Sequence, residues 1–129
     1  MENIVSFEII TLRESGMRGI CEYELTPEDG KAKVAFYFLR WNGREDERIL
    51  SESAVVDMDE AVALLNKSNI LSWDGFRGER PKGLLDGIDF RFTANVNGGK
   101  KVTASGSENF PKGYRTFTNG LYEMLRAKN

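Results

Sequence analysis

Short stretches in which apolar and polar residues alternate, separated by tight turns, run through most of this chain. In the clearest, at 90–96, four apolar residues alternate with Arg91, Thr93 and Asn95. This period of two is typical of a strand that buries one face and exposes the other. Because every connection between successive strands is short, the sheet is expected to be mainly antiparallel. The remaining strands are predicted at about 3–12, 18–25, 31–41, 45–51 and 101–105.

Turn-forming residues mark the ends of these stretches. Pro27 and the pair Asp29-Gly30 predict one turn, because proline presets one backbone angle and Asp-Gly tolerates a left-handed one. Asn42-Gly43 is the strongest short hairpin signal in the chain.

Two other stretches carry apolar residues at helical spacing. The first, at about 57–68, has Asp57 at a natural N-cap position and Glu60 three residues later, as in a capping box. The second opens near Pro111, because proline is favoured in the first turn of a helix. Its apolar stripe consists of Tyr114, Phe117, Leu121, Met124 and Leu125.

These elements predict a single domain, 1–129, without internal repeats or linkers. The expected fold class is α+β. It has two layers, a mainly antiparallel β-sheet of about six strands and two amphipathic helices packed on one face of that sheet.

The chain contains no histidine. This absence limits the possible catalytic mechanisms and metal sites more than any other feature of the composition. Ser-His-Asp triads, Cys-His pairs and imidazole metal ligands are all excluded. General acid–base catalysis near neutral pH would need a carboxylate, lysine or tyrosine with a strongly shifted pKa. The sequence therefore favours a protein that is not an enzyme, with no cofactor and no metal.

Charge and cysteine content bear on partners and compartment. The formal net charge of -2 gives no bulk attraction to nucleic acid or to an anionic membrane, so neither is expected as a partner. Cys21 is the single cysteine, and a lone thiol suits a reducing compartment. The N-terminus does not read as a signal peptide, and no apolar run reaches the ~20 residues of a membrane span. A cytoplasmic location is expected.

The second half carries aromatic, glycine and asparagine residues at fixed spacing: Trp73-Asp74-Gly75-Phe76, Leu85-Asp86-Gly87, Phe90, Phe92, Ser105-Gly106, Asn109 and Phe110-Pro111-Lys112-Gly113-Tyr114. The pattern, over about 70–122, resembles a family of small uncharacterised bacterial proteins, some of which are lipoproteins. The resemblance implies a recurring fold and a bacterial source, but no activity, substrate or catalytic residue. Because this chain has no lipobox cysteine near its start, the lipoprotein form is not carried over.

The segment Trp73–Lys82, here called the Trp73–Lys82 loop, is the first candidate site. Trp and Arg are favoured interface residues, so the loop could form a contact surface for a protein or a planar anion. The competing interpretation is a structural corner in which the aromatic residues plug the core, and it is the one that this composition favours. The candidate interaction residues are Trp73, Phe76, Arg77, Arg80 and Lys82.

A weaker candidate is an anion site before the second helix, since backbone N–H groups at a helix start can bind an anion. Its residues are Ser107, Asn109, Lys112 and Arg115. The glycine spacing is not that of a P-loop, and Glu108 would repel an anion. The favoured alternative is that Ser107 or Asn109 caps the helix.

Three other features have simpler interpretations. Cys21 alternates with Tyr23 and Leu25, which predicts a buried, inert thiol. Glu22 and Glu24 lie two residues apart on a strand, a separation of ~7 Å that would suit a glycosidase pair, although a solvated strand surface is more common. The acidic run at 57–60 lacks the ligand order of a calcium loop.

The leading functional hypothesis is a non-enzymatic binding or regulatory module with a protein partner. The alternative is a small-molecule or anion-binding domain that uses a cleft between sheet and helices. A carboxylate-based hydrolase is the third hypothesis. No oligomeric state is predicted.

Overall fold

A computed structural model of the chain describes residues 2–17, 19–84 and 87–127. The fold is α+β, as expected. Within this described part, seven strands form one sheet. They are β1 (Phe7–Gly16), β2 (Gly19–Glu28), β3 (Lys31–Trp41), β4 (Asp46–Asp57), β5 (Arg77–Gly78), β6 (Asp89–Val96) and β7 (Lys100–Ser107). The helices are α1 (Met58–Lys67), a 3-10 helix (Ile70–Trp73) and α2 (Tyr114–Arg126).

The sheet has the strand order β4-β3-β2-β1-β6-β7-β5. All neighbouring pairs are antiparallel except β5 and β7, which are parallel. The first four strands form a continuous meander. β1 then pairs on its other side with β6. The first strand therefore lies between the β2–β4 part of the sheet and the β5–β7 part.

The expectation of about six strands is corrected by β5. This strand has only two residues, too few to show a period of two in the sequence. The residues just before it are bonded to β7, where the N–H of Gly75 donates to the carbonyl of Thr103 and the N–H of Ser105 donates to the carbonyl of Phe76. The Trp73–Lys82 loop therefore contributes an edge to the sheet.

One core cluster takes residues from the strands and from both helices. Leu12 and Phe92 occupy directly opposed positions on β1 and β6, and both are fully buried. Phe117 of α2 packs against Phe92, with ring centroids 5.8 Å apart. Leu65 of α1 belongs to the same cluster. The alternation that predicts β6 thus places its apolar side chains in this core.

The start of α1 agrees with the sequence prediction, with Asp57 at the N-cap position, but the side-chain capping and the start of α2 differ from it. α1 begins at Met58, and the side chain of Asp57 makes no capping hydrogen bond but lies 3.5 Å from Lys31, so the capping box is not formed. α2 begins at Tyr114 rather than near Pro111. Gly113 precedes it with a φ of 93°, and a Cβ there would meet the carbonyl oxygen of Ser68 at 2.1 Å.

Gly120, inside α2, is a point of close helix packing. A Cβ at this position would meet the side chain of Leu64 in α1 at 2.4 Å. The two helices therefore approach one another where α2 has no side chain. Neither helix, nor any other helix in the described ranges, has the length and apolar character needed to cross a bilayer.

Candidate functional site

Trp73 is a core residue. It is 0% exposed, and its indole N–H donates to the backbone carbonyl of Lys112 at 2.9 Å. Its ring lies 4.8 Å from that of Phe92 and 5.7 Å from that of Phe117, both in edge-on geometry. Trp73 is therefore not part of a contact surface, because a fully buried side chain cannot contact a partner.

Phe76 also belongs to the structural part of the loop. It is half-buried, with its ring 6.3 Å from that of Phe90. Next to it, the carboxylate of Asp74 accepts the backbone N–H of Thr103 at 3.1 Å. The corner interpretation thus describes the aromatic end of the loop, which is bonded along β7.

The cations of the loop are on the surface and differ in their surroundings. Arg80 pairs with Asp89 at 3.2 Å, and Lys82 is exposed beyond the end of β5. Arg77 is exposed on β5, at the register position of Ser105. Since paired residues share a sheet face, Arg77 lies on the same face as Ser105.

The sheet register extends this position into a row of cations. Arg13 of β1 lies opposite Arg91 of β6, Arg91 lies opposite Ser105 of β7, and Ser105 lies opposite Arg77. Lys101 has the same parity on β7 as Ser105 and therefore lies on this face too. We call Arg13, Arg77, Arg91 and Lys101 the basic half-face. It lies on the side of the sheet opposite to Leu12 and Phe92.

The basic half-face places like charges next to one another. Directly opposed residues on antiparallel strands have Cβ atoms about 4.5–5.5 Å apart, and like charges in such pairs are destabilising. Arg13 is compensated by Glu22, whose Oε2 accepts from Arg13 at 2.9–3.0 Å. Arg91 and Arg77 are exposed side chains in the same row. A bound anionic group would relieve the repulsion in this row.

Polar groups lie among these cations. The hydroxyls of Thr11 and Thr93 are 2.6 Å apart. An open groove of about 240 Å³ beside them is lined by Thr93, Asn95, Lys101 and Thr103, among others. The side-chain oxygen of Asn95 is buried and has no hydrogen-bond partner among the described residues. The surface can therefore offer ammonium, guanidinium and hydroxyl donors to a ligand.

Glu22 and Glu24 belong to an ion-paired network. Their arrangement therefore does not support the hypothesis of a carboxylate-based hydrolase. Glu22 is 8% exposed between Arg13 and Arg48, the latter at 3.3 Å. Arg48 also contacts Glu24 at 3.2 Å, and its guanidinium carbon lies 3.8 Å from the ring centre of Tyr37. Both carboxylates are thus held by a shared guanidinium, as in a structural network.

The four residues of the weaker anion candidate differ in their surroundings. Ser107 ends β7 with a buried hydroxyl, and the amide of Asn109 donates to the carbonyl of Glu79 at 3.3 Å. Lys112 and Arg115 are exposed. The position before α2 is Gly113, which has no capping side chain, so neither Ser107 nor Asn109 caps this helix. The prediction that Ser107 or Asn109 caps the second helix is therefore wrong.

Asn109 has a packing role instead. Its backbone oxygen would lie 2.2 Å from a Cβ at Gly106 and 2.3 Å from a Cβ at Gly78. The two glycines are paired on β7 and β5, so the chain can cross them only where side chains are absent. Leu85 and Asp86, which belong to the same sequence pattern, lie outside the described residues.

Cys21 is half-buried rather than buried. Burial and the nearby charge of Glu14 raise the pKa of its thiol from 9.0 to about 11, while a backbone hydrogen bond acts in the opposite direction. A thiol with a raised pKa is a poor nucleophile at neutral pH. This environment agrees with the expectation of an inert thiol, although not of a buried one.

The described ranges contain no cluster of three Cys, Asp or Glu side chains that could hold a metal ion. Comparison of the chain with protein-family models, curated proteins and solved structures gives no match. Functional inference therefore depends on the site itself.

Sequence reasoning found Arg77 but missed Arg13, Arg91 and Lys101 as members of the same surface. Arg91 and Lys101 occupy polar positions in alternating stretches, which indicates exposure, whereas Arg13 follows the strand predicted at about 3–12. The row appears only when the register of four strands is known.

Proposed function

We propose that the protein is a non-enzymatic binding module whose basic half-face binds an acidic segment of a partner protein. The observation that carries the proposal is the row across four strands in which Arg13 lies beside Arg91, and Ser105 separates Arg91 from Arg77. Arginine binds carboxylates in defined geometry and is a frequent interface anchor. The leading hypothesis from the sequence is kept, but its residues move from the aromatic loop to the sheet face.

We also infer that both helices cover the other sheet face and leave the basic half-face open. Support comes from the contact between Phe117 and Phe92 and from the presence of Leu65 in the same core cluster. On the opposite face, Arg91, Thr93 and Thr103 are exposed. A solved structure with a helix packed over Arg91 would contradict this arrangement.

The test uses a defined acidic probe before a natural partner is sought. Fluorescence anisotropy would measure binding of a labelled glutamate-rich peptide to the wild type and to the double variant Arg77→Gln, Arg91→Gln. We expect wild-type binding that weakens with salt, and at least a tenfold loss in the double variant, since each charge-assisted contact contributes about 1.5–3 kcal/mol.

Arg44→Gln is the matched control, because Arg44 is an exposed arginine in the β3–β4 turn, away from the half-face. Equal binding by the wild type and the double variant, or an equal loss in Arg44→Gln, would refute the proposal. Affinity purification from the native cell with the same variants would then identify the partner. A partner retained at wild-type affinity by the double variant would count equally against it.

The small-anion alternative finds less support. Two grooves on the helix side of the sheet are lined by Glu14, and one of them is also lined by Glu108. These carboxylates repel anions. The groove beside Thr93, Thr103 and Lys101 is the better small site, because a cation and two hydroxyl donors line it. Saturable binding of acetate that is lost in Lys101→Gln would favour this alternative.

A further inference from the structure

The buried core covers only part of the helix side of the sheet. Beside it, aromatic side chains of β2 and β3 are partly exposed. Tyr23 lies opposite Leu12 on one side and Phe36 on the other. Leu12 is fully buried, whereas Tyr23 and Phe36 are only partly buried. In the next row, Phe38 lies opposite Cys21 and is 51% exposed. The rings of Tyr23, Phe36 and Phe38 are contiguous, and a contiguous exposed apolar surface is a typical mark of a binding site.

The three rings are inclined to one another. The ring centroids of Tyr23 and Phe36 are 4.8 Å apart at 43°, and those of Phe36 and Phe38 are 5.2 Å apart at 74°. Inclined rings can offer more than one π face to a ligand. The faces of aromatic rings attract ammonium ions through the ring quadrupole, and sets of such rings recognise quaternary ammonium groups.

A carboxylate lies beside the rings. Glu14 is the neighbour of Cys21 on β1, so Phe38, Cys21 and Glu14 form one row across three strands. With strands about 4.8 Å apart, a group placed over Cys21 lies about 5 Å from each flanking strand. The hydroxyl of Tyr114 donates to Glu14 Oε2 and fixes the carboxylate. An open groove of about 400 Å³ adjoins this row and includes Met17, Cys21 and Ile88 in its lining.

The electrostatic surroundings of the rings are negative. Burial, and after it the charges of Glu14 and Glu52, together raise the pKa of Tyr23 to about 12. The pKa of Tyr114 is raised by burial and then by its hydrogen bond to Glu14. Glu52 lies opposite Phe36 on β4, so carboxylates flank the aromatic residues on both sides.

We propose that Glu14, Cys21, Tyr23, Phe36 and Phe38 form a binding site for a small organic cation, an ammonium ion with an apolar body. The ammonium group lies over Cys21, between the carboxylate of Glu14 and the rings of Tyr23 and Phe38. The apolar body occupies the groove toward Met17 and Ile88. The occupant is a free small molecule, because a groove of about 400 Å³ has the size of small-ligand sites. This site is independent of the basic half-face, which lies on the other side of the sheet.

The test compares a cation with its neutral isostere. Choline chloride and 3,3-dimethyl-1-butanol have the same shape and differ in charge. NMR titration at constant ionic strength would follow the ring resonances of Tyr23, Phe36 and Phe38. We expect saturable shifts with choline and at least about fivefold weaker binding of the alcohol, the difference that one cation–π contact supplies.

Two variants assign the binding to named groups. Phe38→Leu keeps an apolar side chain but removes a π face, and Glu14→Gln removes the charge while keeping an oxygen acceptor for Tyr114. Each should weaken choline binding about fivefold or more. Trp41→Leu and Glu60→Gln are the controls. Both change exposed side chains outside the proposed site and its groove, and both should leave the affinity for choline unchanged.

Equal affinity for choline and the alcohol would overturn the proposal, as would unchanged choline binding in Phe38→Leu. The absence of saturable shifts up to about 100 mM choline would do the same, because a site of this kind should saturate at millimolar concentration. A peptide carrying trimethyllysine that binds far more tightly than choline would overturn the assignment to a free small molecule. The Glu14→Gln result counts only if the NMR spectrum of this variant is that of a folded chain. If it is not, Phe38→Leu alone provides the test.

Discussion

The indole N–H of Trp73 donates to the backbone carbonyl of Lys112 at 2.9 Å. This bond joins the end of the 3-10 helix to the segment that precedes α2, across 39 residues of sequence. The indole ring also contacts Phe92 and Phe117. One side chain therefore links the sheet, the 3-10 helix and α2.

Replacing this side chain should be costly. Trp73→Ala is expected to lower the free energy of unfolding by ~3–5 kcal/mol, because a fully buried aromatic side chain is lost. Trp73→Phe should cost less, since it keeps a ring but leaves the carbonyl of Lys112 without its donor. Urea melts would measure both. Trp41→Ala is the control, since Trp41 is 64% exposed and its loss should change stability by less than ~0.5 kcal/mol.

Gly106 should not tolerate a side chain. A Cβ there would lie 2.2 Å from the backbone oxygen of Asn109 and 2.7 Å from the ring of Phe90. Gly106→Ala is therefore expected to destabilise by ~1–3 kcal/mol through overpacking, measured by thermal or urea unfolding. Ser105→Ala is the adjacent control and should have a smaller effect. A Gly106→Ala protein as stable as the wild type would show that Asn109 does not lie over β7.

Arg13 and Arg91 should behave differently although they are directly opposed. Arg91→Gln removes a like-charge neighbour, so stability should stay level or rise by ~0.2–0.5 kcal/mol at low salt, with the gain lost at high salt. Arg13→Gln removes a partner from Glu22, which is 8% exposed, and should lower stability by ~1 kcal/mol. Urea melts at two salt concentrations would separate them. Equal effects at both positions would disprove the asymmetry.

The Cys21 thiol should react slowly at neutral pH. Its pKa is raised to about 11, chiefly by burial, so only a small fraction is thiolate at pH 7. Titration of the native protein with a thiol reagent should give a rate well below that of the unfolded chain, increasing up to pH 11. Rapid stoichiometric labelling of the folded protein at pH 7 would contradict this environment.

Stability should fall under alkaline conditions. The pKa of Tyr23 is raised from 10.0 to about 12, again chiefly by burial, so the folded state holds this proton more tightly than the unfolded state. The associated stability is fully present below pH 10 and is lost as the pH rises toward 12. Tyr23→Phe should flatten this part of the profile, measured by urea melts from pH 8 to pH 11. A wild-type profile that rises over this interval would contradict the sign.

Local patterns in the sequence determined the α+β class, most of the strands and both helices. The alternation at 90–96 specifies which side chains of β6 face the core, because successive residues of a strand point to opposite faces. The stripe from Tyr114 to Leu125 specifies the buried side of α2 in the same way. The burial of Trp73 was also favoured by the sequence, since a large aromatic residue beside glycine is usually a packing residue.

Tertiary structure alone decided which strands are neighbours. Arg13, Arg91 and Arg77 lie far apart along the chain and share one row only through the β1–β6, β6–β7 and β5–β7 registers. Glu14 and Phe38 are likewise distant in the sequence and share a row only through the β1–β2 and β2–β3 registers. Alternation is a local property of one strand, whereas register depends on backbone hydrogen bonds and core packing between distant segments. The sequence therefore indicates that Arg91 and Lys101 are exposed, whereas the grouping of the residues in both proposed sites is a product of the fold.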